Sequence, residues 1–223
     1  MPPTTLTSPP FQSVKGRVVY VLVVMLLLQL TYPISLEGAL PNLLYFGTYC
    51  ALLGSGVYVA SVNRTHLIVS VSAAVLSLGF GIPWVLSGDS IVWLAVASYA
   101  SLVFFQTTII VVLLGFIFEA DSINRDVLFA ALTIYILFGN SFSSLYMIIQ
   151  ELQPEAFVAT NLDAPIPWQY MVYFSYSTLT TLGFGDIVPI SPWAQSIVAV
   201  EAMLGLLYIA VIIGRMASNY RRE

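Results

Sequence analysis

The sequence is short of charge. Asp, Glu, Lys and Arg make up only 8% of its 223 residues, against about 25% in an ordinary soluble domain. Hydrophobic residues make up 59%. Such a chain lacks the polar surface that covers a soluble core. Cysteine is almost absent too: Cys50 stands alone, which excludes a disulfide scaffold. One histidine and no clustered carboxylates leave no nucleophile, base and orienting group, so the chain does not read as an enzyme and implies no cofactor. Seven basic residues, none in a run longer than two, provide no patch for nucleic acid.

The few charges bound long empty stretches. Residues 18–36, 38–63, 90–118 and 127–150 carry none, and His66 is the only titratable group between Arg64 and Asp89. Each run is near or above the roughly 20 residues that cross a bilayer as a helix. The pattern predicts an all-α membrane protein with spans at Val18–Tyr32, Leu43–Val62, Leu67–Leu86, Ile91–Phe116, Val127–Ile149 and Trp193–Ala217. Residues 1–14, rich in Pro, Thr and Ser, read as a disordered cytoplasmic tail. The first span reads as retained and not as a signal peptide, because Tyr32-Pro33-Ile34 offers no small-residue cleavage site.

The basic residues orient the spans. With both termini in the cytoplasm of a cell membrane, Lys15, Arg17, Arg64, Arg125, Arg215, Arg221 and Arg222 all lie inside. The outer loops then hold only acids: Glu37, Asp89, Glu151, Glu155, Asp163 and Asp186. Five or seven spans would scatter basic residues to both sides.

Residues 164–185 break the regularity. They lack charge, but Pro165, Pro167, Gln169, Ser175, Ser177, Thr178, Thr180 and Thr181 make a poor span. A full crossing here would also carry the last three arginines outside. A segment that enters the membrane and returns keeps the charge pattern, and irregular backbone at that depth must line water or be buried in protein. Trp168–Thr180 is long enough for a short helix of about 19 Å. Thr181-Leu182-Gly183-Phe184-Gly185 follows, with glycine at alternate positions. Glycine tolerates the left-handed backbone needed to turn successive carbonyls one way. A ring of such carbonyls replaces the water shell of an alkali cation.

Thr180-Thr181-Leu182-Gly183-Phe184-Gly185-Asp186 resembles the potassium-channel filter signature Thr-Val-Gly-Tyr-Gly-Asp, with Leu182 in place of valine and Phe184 in place of tyrosine. The flanks are similar to small prokaryotic potassium channels: the aromatic-rich 170–176, Ile187-Val188-Pro189, and the helix at 201–208. The resemblance covers about 167–218. It implies a six-span potassium channel with a four-helix peripheral domain at 15–120 and a pore domain at 121–223. K+ is then held by the carbonyls of Thr181, Leu182, Gly183 and Phe184 and by the Thr181 hydroxyl. One chain carries one filter strand, so closed symmetry implies a homotetramer.

The same resemblance places supporting residues. Gly185 completes the filter, and Asp186 at its mouth attracts cations and faces Tyr173 as a hydrogen-bond donor. Gly205 falls where such channels put an inner-helix hinge; a glycine that lets two helices approach closely reads equally well. Leu206, Ile209 and Ile213 share a face and line the inner cavity. Glu201 is an acid inside a span, which is costly and turns inward, where it braces the pore helix or adds negative potential to the ion path.

Residues 67–118 hold no Lys or Arg, so the third and fourth spans carry no arginine voltage sensor. Leu78-Gly79-Phe80-Gly81 repeats the filter letters without the threonines or the aspartate, and reads as a helix kinked near Pro83. A weakly selective cation channel, a secondary transporter with broken helices, and a non-conducting regulatory subunit are the other classes compatible with the pattern. Transporter repeats put their breaks at corresponding points of the two halves, which these two copies do not.

Overall fold

The computed structural model describes residues 14–33, 39–87, 91–120, 122–160 and 165–220. The expected tail at 1–13 and the charged residues Glu37, Asp89, Asp163, Arg221 and Arg222 lie outside them. The elements run α1 (Val18–Thr31), α2 (Ala39–Ala60), α3 (Arg64–Leu86), α4 (Val92–Glu119), α5 (Arg125–Leu152), β1 (Phe157–Ala159), α6 (Trp168–Leu179), β2 (Ile187–Pro189) and α7 (Pro192–Tyr220). The six helices other than α6 overlap the six expected spans, and the short α6 falls on the broken segment.

Four of them, α3, α4, α5 and the Pro192–Arg215 part of α7, are long and apolar enough to cross a membrane. The apolar α1 has 14 residues, or about 21 Å, and the described apolar part of α2 is Leu44–Ala60.

Polar residues at the starts explain several boundaries. Asn63 Oδ1 accepts the Thr65 N–H, and Asn124 Oδ1 accepts the Val127 N–H. Ser191 Oγ accepts the Ala194 N–H, and Pro192 fills the first helical position of α7, where no N–H is required. Pro83 lies inside α3, which continues past it to Leu86.

The chain divides into two compact units, Met1–Val71 with Thr108–Thr133, and Ser72–Thr107 with Ile134–Glu223. In the first, α1 and α2 are tied at both ends. The Arg17 guanidinium sits over the Tyr58 ring at 4.6 Å and donates to the Tyr58 carbonyl and to Ser61 Oγ. At the far end the hydroxyls of Thr31 and Thr48 are 3.4 Å apart. The Gly16 N–H donates to Asp126 Oδ1 at the foot of α5.

The second unit has an aromatic core. Tyr146, Phe157 and Phe174 meet with ring centroids 5.3, 5.4 and 5.8 Å apart. Phe142, Met171, Ile166, Ile187 and Ala194 pack around them. β1 and β2 pair antiparallel, Phe157 with Pro189 and Ala159 with Ile187, and this pairing joins the segment after α5 to the strand after residue 185.

Candidate functional site

The site is the end of α6 and the five residues after it. α6 is fixed at its start by Gln150, which is buried. Gln150 Nε2 donates to the Ile166 carbonyl at 2.8 Å and its Oε1 accepts the Ile166 N–H at 3.1 Å. Both backbone groups of a residue just ahead of the helix are thus satisfied by one side chain from α5. Pro167 is extended, with φ −59° and ψ 145°, and starts the helix.

The other end of α6 decides the chemistry. The Thr181 N–H donates to the Thr178 carbonyl, and the Leu182 N–H to the Ser177 carbonyl, each at 2.8 Å. These two bonds make a Schellman motif, in which the residue past the cap is left-handed. That residue is Thr181, with φ +58°, the one non-glycine at positive φ among the described residues. Glycine is the usual choice there, and a β-branched residue is strained by roughly 1–3 kcal/mol. A threonine in this position keeps a hydroxyl at the helix end that glycine would lack.

The chain then alternates. Gly183 has φ +56° and Gly185 φ +79°, while Leu182 and Phe184 between them are right of zero in neither case. The Gly183 N–H also points at the Ser177 carbonyl, at 3.2 Å. In a planar trans peptide the N–H of one residue and the C=O of the residue before it point opposite ways. The N–H groups of 181, 182 and 183 all turn to α6, so the carbonyls of Thr180, Thr181 and Leu182 turn away from it. The segment 180–185 is exposed in the single chain, including 60% of Leu182 and 63% of Phe184.

Its outer end is held from two sides. The Asp186 carbonyl accepts the Thr160 N–H at 2.9 Å, and the Ala156 carbonyl accepts the Ile190 N–H at 2.8 Å. The Asp186 carboxylate accepts the Ile187 N–H. Tyr173 of α6 stacks on Phe184, with ring centroids 6.0 Å apart and planes 12° apart.

Two glycines let helices close on α6. A Cβ on Gly205 would lie 2.2 Å from the Leu179 carbonyl oxygen, and one on Gly139 would lie 2.5 Å from the Tyr176 ring. The close approach alone requires glycine at 205. Glu201, four residues earlier on α7, is fully buried. It is in hydrogen-bond contact with Tyr146 of α5 and Ser175 of α6. Leu206, Ile209 and Ile213 are exposed on α7, as are Met203, Leu207 and Val211. The exposed surface of this helix is therefore wider than a single cavity face.

Sequence reasoning missed the α5 partners. Tyr135 donates to the Leu179 carbonyl, Asn140 donates to the Tyr176 hydroxyl, and Tyr176 donates to the Ile136 carbonyl. Ser141 donates to Gln106 of α4. The signal was present: Gly139, Asn140, Ser143, Tyr146 and Gln150 recur at helical spacing inside a charge-free run. Among the described residues no group of three or more His, Cys, Asp or Glu is arranged to hold a metal ion. The segment 180–185 itself carries only carbonyl and hydroxyl oxygens.

Residues 123–222 match a family described as "Ion channel". The inward rectifier potassium channel Kirbac3.1 of Paramagnetospirillum magnetotacticum is 29% identical over 84 residues. The aligned part covers 36% of this chain and 28% of that protein. No solved structure matches. Both matches are with channel proteins and not with enzymes, and with the apolar helices they make this a membrane protein similar to potassium channels.

Proposed function

We propose that the chain is one subunit of a homotetrameric potassium channel, with residues 181–185 as its selectivity filter. The observation that carries this reading is the backbone at 180–185. The N–H groups of Thr180, Thr181, Leu182 and Gly183 are committed to α6, φ is positive at Thr181, Gly183 and Gly185 and not at the residues between, and the first carbonyls turn away from the helix that holds them. Four copies around an axis would bring these carbonyls into a ring of the kind that replaces the water shell of K+. The ligands are the carbonyls of Thr181, Leu182, Gly183 and Phe184 with the Thr181 hydroxyl. K+ is the permeant ion, and no cofactor takes part.

The exposed Leu182, Phe184 and Leu206 of a lone subunit also call for cover, which neighbouring subunits and lipid provide. Asp186 concentrates cations at the mouth. In this reading residues 121–223 form the pore domain, residues 15–120 form four peripheral helices, all six long helices cross the membrane, and both termini are cytoplasmic.

The α6 C-terminus points its partial negative charge toward the cavity below the filter, which favours a cation there. Passive flux is the only process involved. The test is a planar-bilayer recording of the purified protein under a potassium–sodium gradient. Single-pore currents reversing near the potassium equilibrium potential are expected. Absence of current, or turnover at carrier rates, refutes the reading.

A further inference from the structure

Glu201 presents a proton-counting problem. Its carboxyl group is fully buried, and its hydrogen-bond partners are the hydroxyls of Tyr146 and Ser175. Ser175 Oγ is also 2.6 Å from the Gly139 carbonyl oxygen. A serine hydroxyl has one proton. A carbonyl oxygen can only accept. Ser175 Oγ meets both acceptors as the sole donor if Glu201 is ionised, one proton shared between two contacts; a proton on the carboxyl group gives each contact its own. An ionised Glu201 would leave one of these close contacts with at most a shared proton.

The surroundings agree. Tyr135 and Tyr146 of α5 are the titratable groups that face Glu201; α6 presents Ser175. Neither helix brings it a cation. The nearest basic residue along α7 is Arg215, about 21 Å away along the axis at 1.5 Å per residue. A buried anion without a cation is strongly disfavoured, whereas a neutral acid with one donor and one acceptor is fully satisfied.

We infer that Glu201 is held as the neutral carboxylic acid, in a donor chain that runs Tyr146 to Glu201 to Ser175 to the Gly139 carbonyl. The chain joins α5, α7 and α6 through one carboxyl group. Ser175 lies two residues before Ser177, whose carbonyl takes the N–H groups of Leu182 and Gly183. Glu201 is thus a positioning residue: it fixes the helix that fixes the filter. Being neutral, it places no negative charge behind the carbonyls that would compete with them for K+. This role in selectivity rests on the channel reading above, but the protonation state does not.

The two are therefore tested separately. The first measurement is the infrared spectrum of the full-length protein in lipid at neutral pH, with its glutamates carbon-13 labelled. The expected result is an isotope-shifted carbonyl band of a protonated carboxyl group, retained at neutral pH and lost in Glu201→Gln. A wild-type spectrum with carboxylate bands alone overturns the assignment, whether or not the protein conducts.

The second measurement is the permeability ratio of K+ to Na+. An amide reproduces the neutral acid, donating to Ser175 and accepting from Tyr146. Glu201→Gln is expected to keep the wild-type ratio and Glu201→Ala to lower it. A glutamine variant that assembles but loses selectivity overturns the positioning role.

Discussion

The letters Leu-Gly-Phe-Gly occur at 78–81 and again at 182–185, and the two copies fold differently. The first lies inside α3, where neither Gly79 nor Gly81 has a positive φ. The second follows the end of α6, outside any helix or strand, with both glycines left-handed. The glycines themselves are the same, so the difference comes from what precedes and follows them. Ser177, Thr178, Thr180 and Thr181 precede the second copy, and the Schellman bonds from 181 and 182 end the helix there. The first copy follows Ala73-Ala74-Val75-Leu76-Ser77, which carries the helix through. Glycine permits the left-handed backbone; the hydrogen bonds at the helix end use it.

Three kinds of glycine can be told apart on this basis, and substitution separates them. The largest effect is expected at Gly183. A Cβ there meets nothing within 4 Å, so its cost lies in the backbone, at φ +56°. Holding alanine in that conformation costs roughly 1–2 kcal/mol, and relaxing it rotates a proposed ligand carbonyl. Gly183→Ala is expected to abolish K+ current in bilayers while cross-linking still shows tetramers. Normal selective current would break the distinction between the two copies.

Gly205 comes next, for a different reason. Its cost is room, since the Leu179 carbonyl is backbone and cannot swing aside. Overpacking of this kind costs roughly 1–3 kcal/mol. Gly205→Ala is expected to lower the thermal midpoint of the purified protein and to reduce selectivity through displacement of the α6 end. A hinge role alone would change open probability and leave the midpoint where it was.

How much of this was visible in the sequence depends on the kind of signal. The helices were legible because scarcity of charge is a property of residue type alone: the six helices other than α6 overlap the expected spans with ends shifted by a few residues, and four of them are long and apolar enough to cross a membrane. The segment proposed as the filter stood out because paired threonines precede alternating glycines, and both glycines take positive φ. The α5 partners of α6 were not, because Tyr135, Asn140, Tyr146 and Gln150 are unremarkable one by one. Their meaning appears only when α6 lies beside them. The pairing of β1 with β2 was hidden for a similar reason: each strand has three residues and no alternation to read. Glu201 was found as a costly acid, but its contacts with Tyr146 and Ser175 required coordinates.

Thr181 sharpens the comparison at smaller scale. It occupies the left-handed position that glycine takes in most Schellman motifs. Thr181→Gly therefore relieves strain and removes a hydroxyl oxygen at once. The expected outcome is a thermal midpoint that holds or rises, by about 1 kcal/mol in stability, together with a lower K+ over Na+ permeability ratio. Unchanged selectivity would remove the hydroxyl from the ligand set and leave the carbonyls.

The smallest effect is expected at the first copy. A Cβ on Gly79 meets nothing within 4 Å, and one on Gly81 meets only the Ser98 hydroxyl oxygen, at 3.1 Å. That hydroxyl can rotate away. Neither glycine uses a conformation closed to alanine, and alanine favours a helix interior by roughly 0.5–1 kcal/mol over glycine. Gly79→Ala is thus expected to hold or slightly raise the thermal midpoint and to leave conductance and selectivity at wild-type values. The measurement matters because it uses the same glycine-to-alanine change in the same four-letter context as Gly183→Ala. If both variants abolish current, the repeat is functional in both places, and α3 takes part in the ion path. If only the second does, the filter is defined by the end of α6 and not by its four letters.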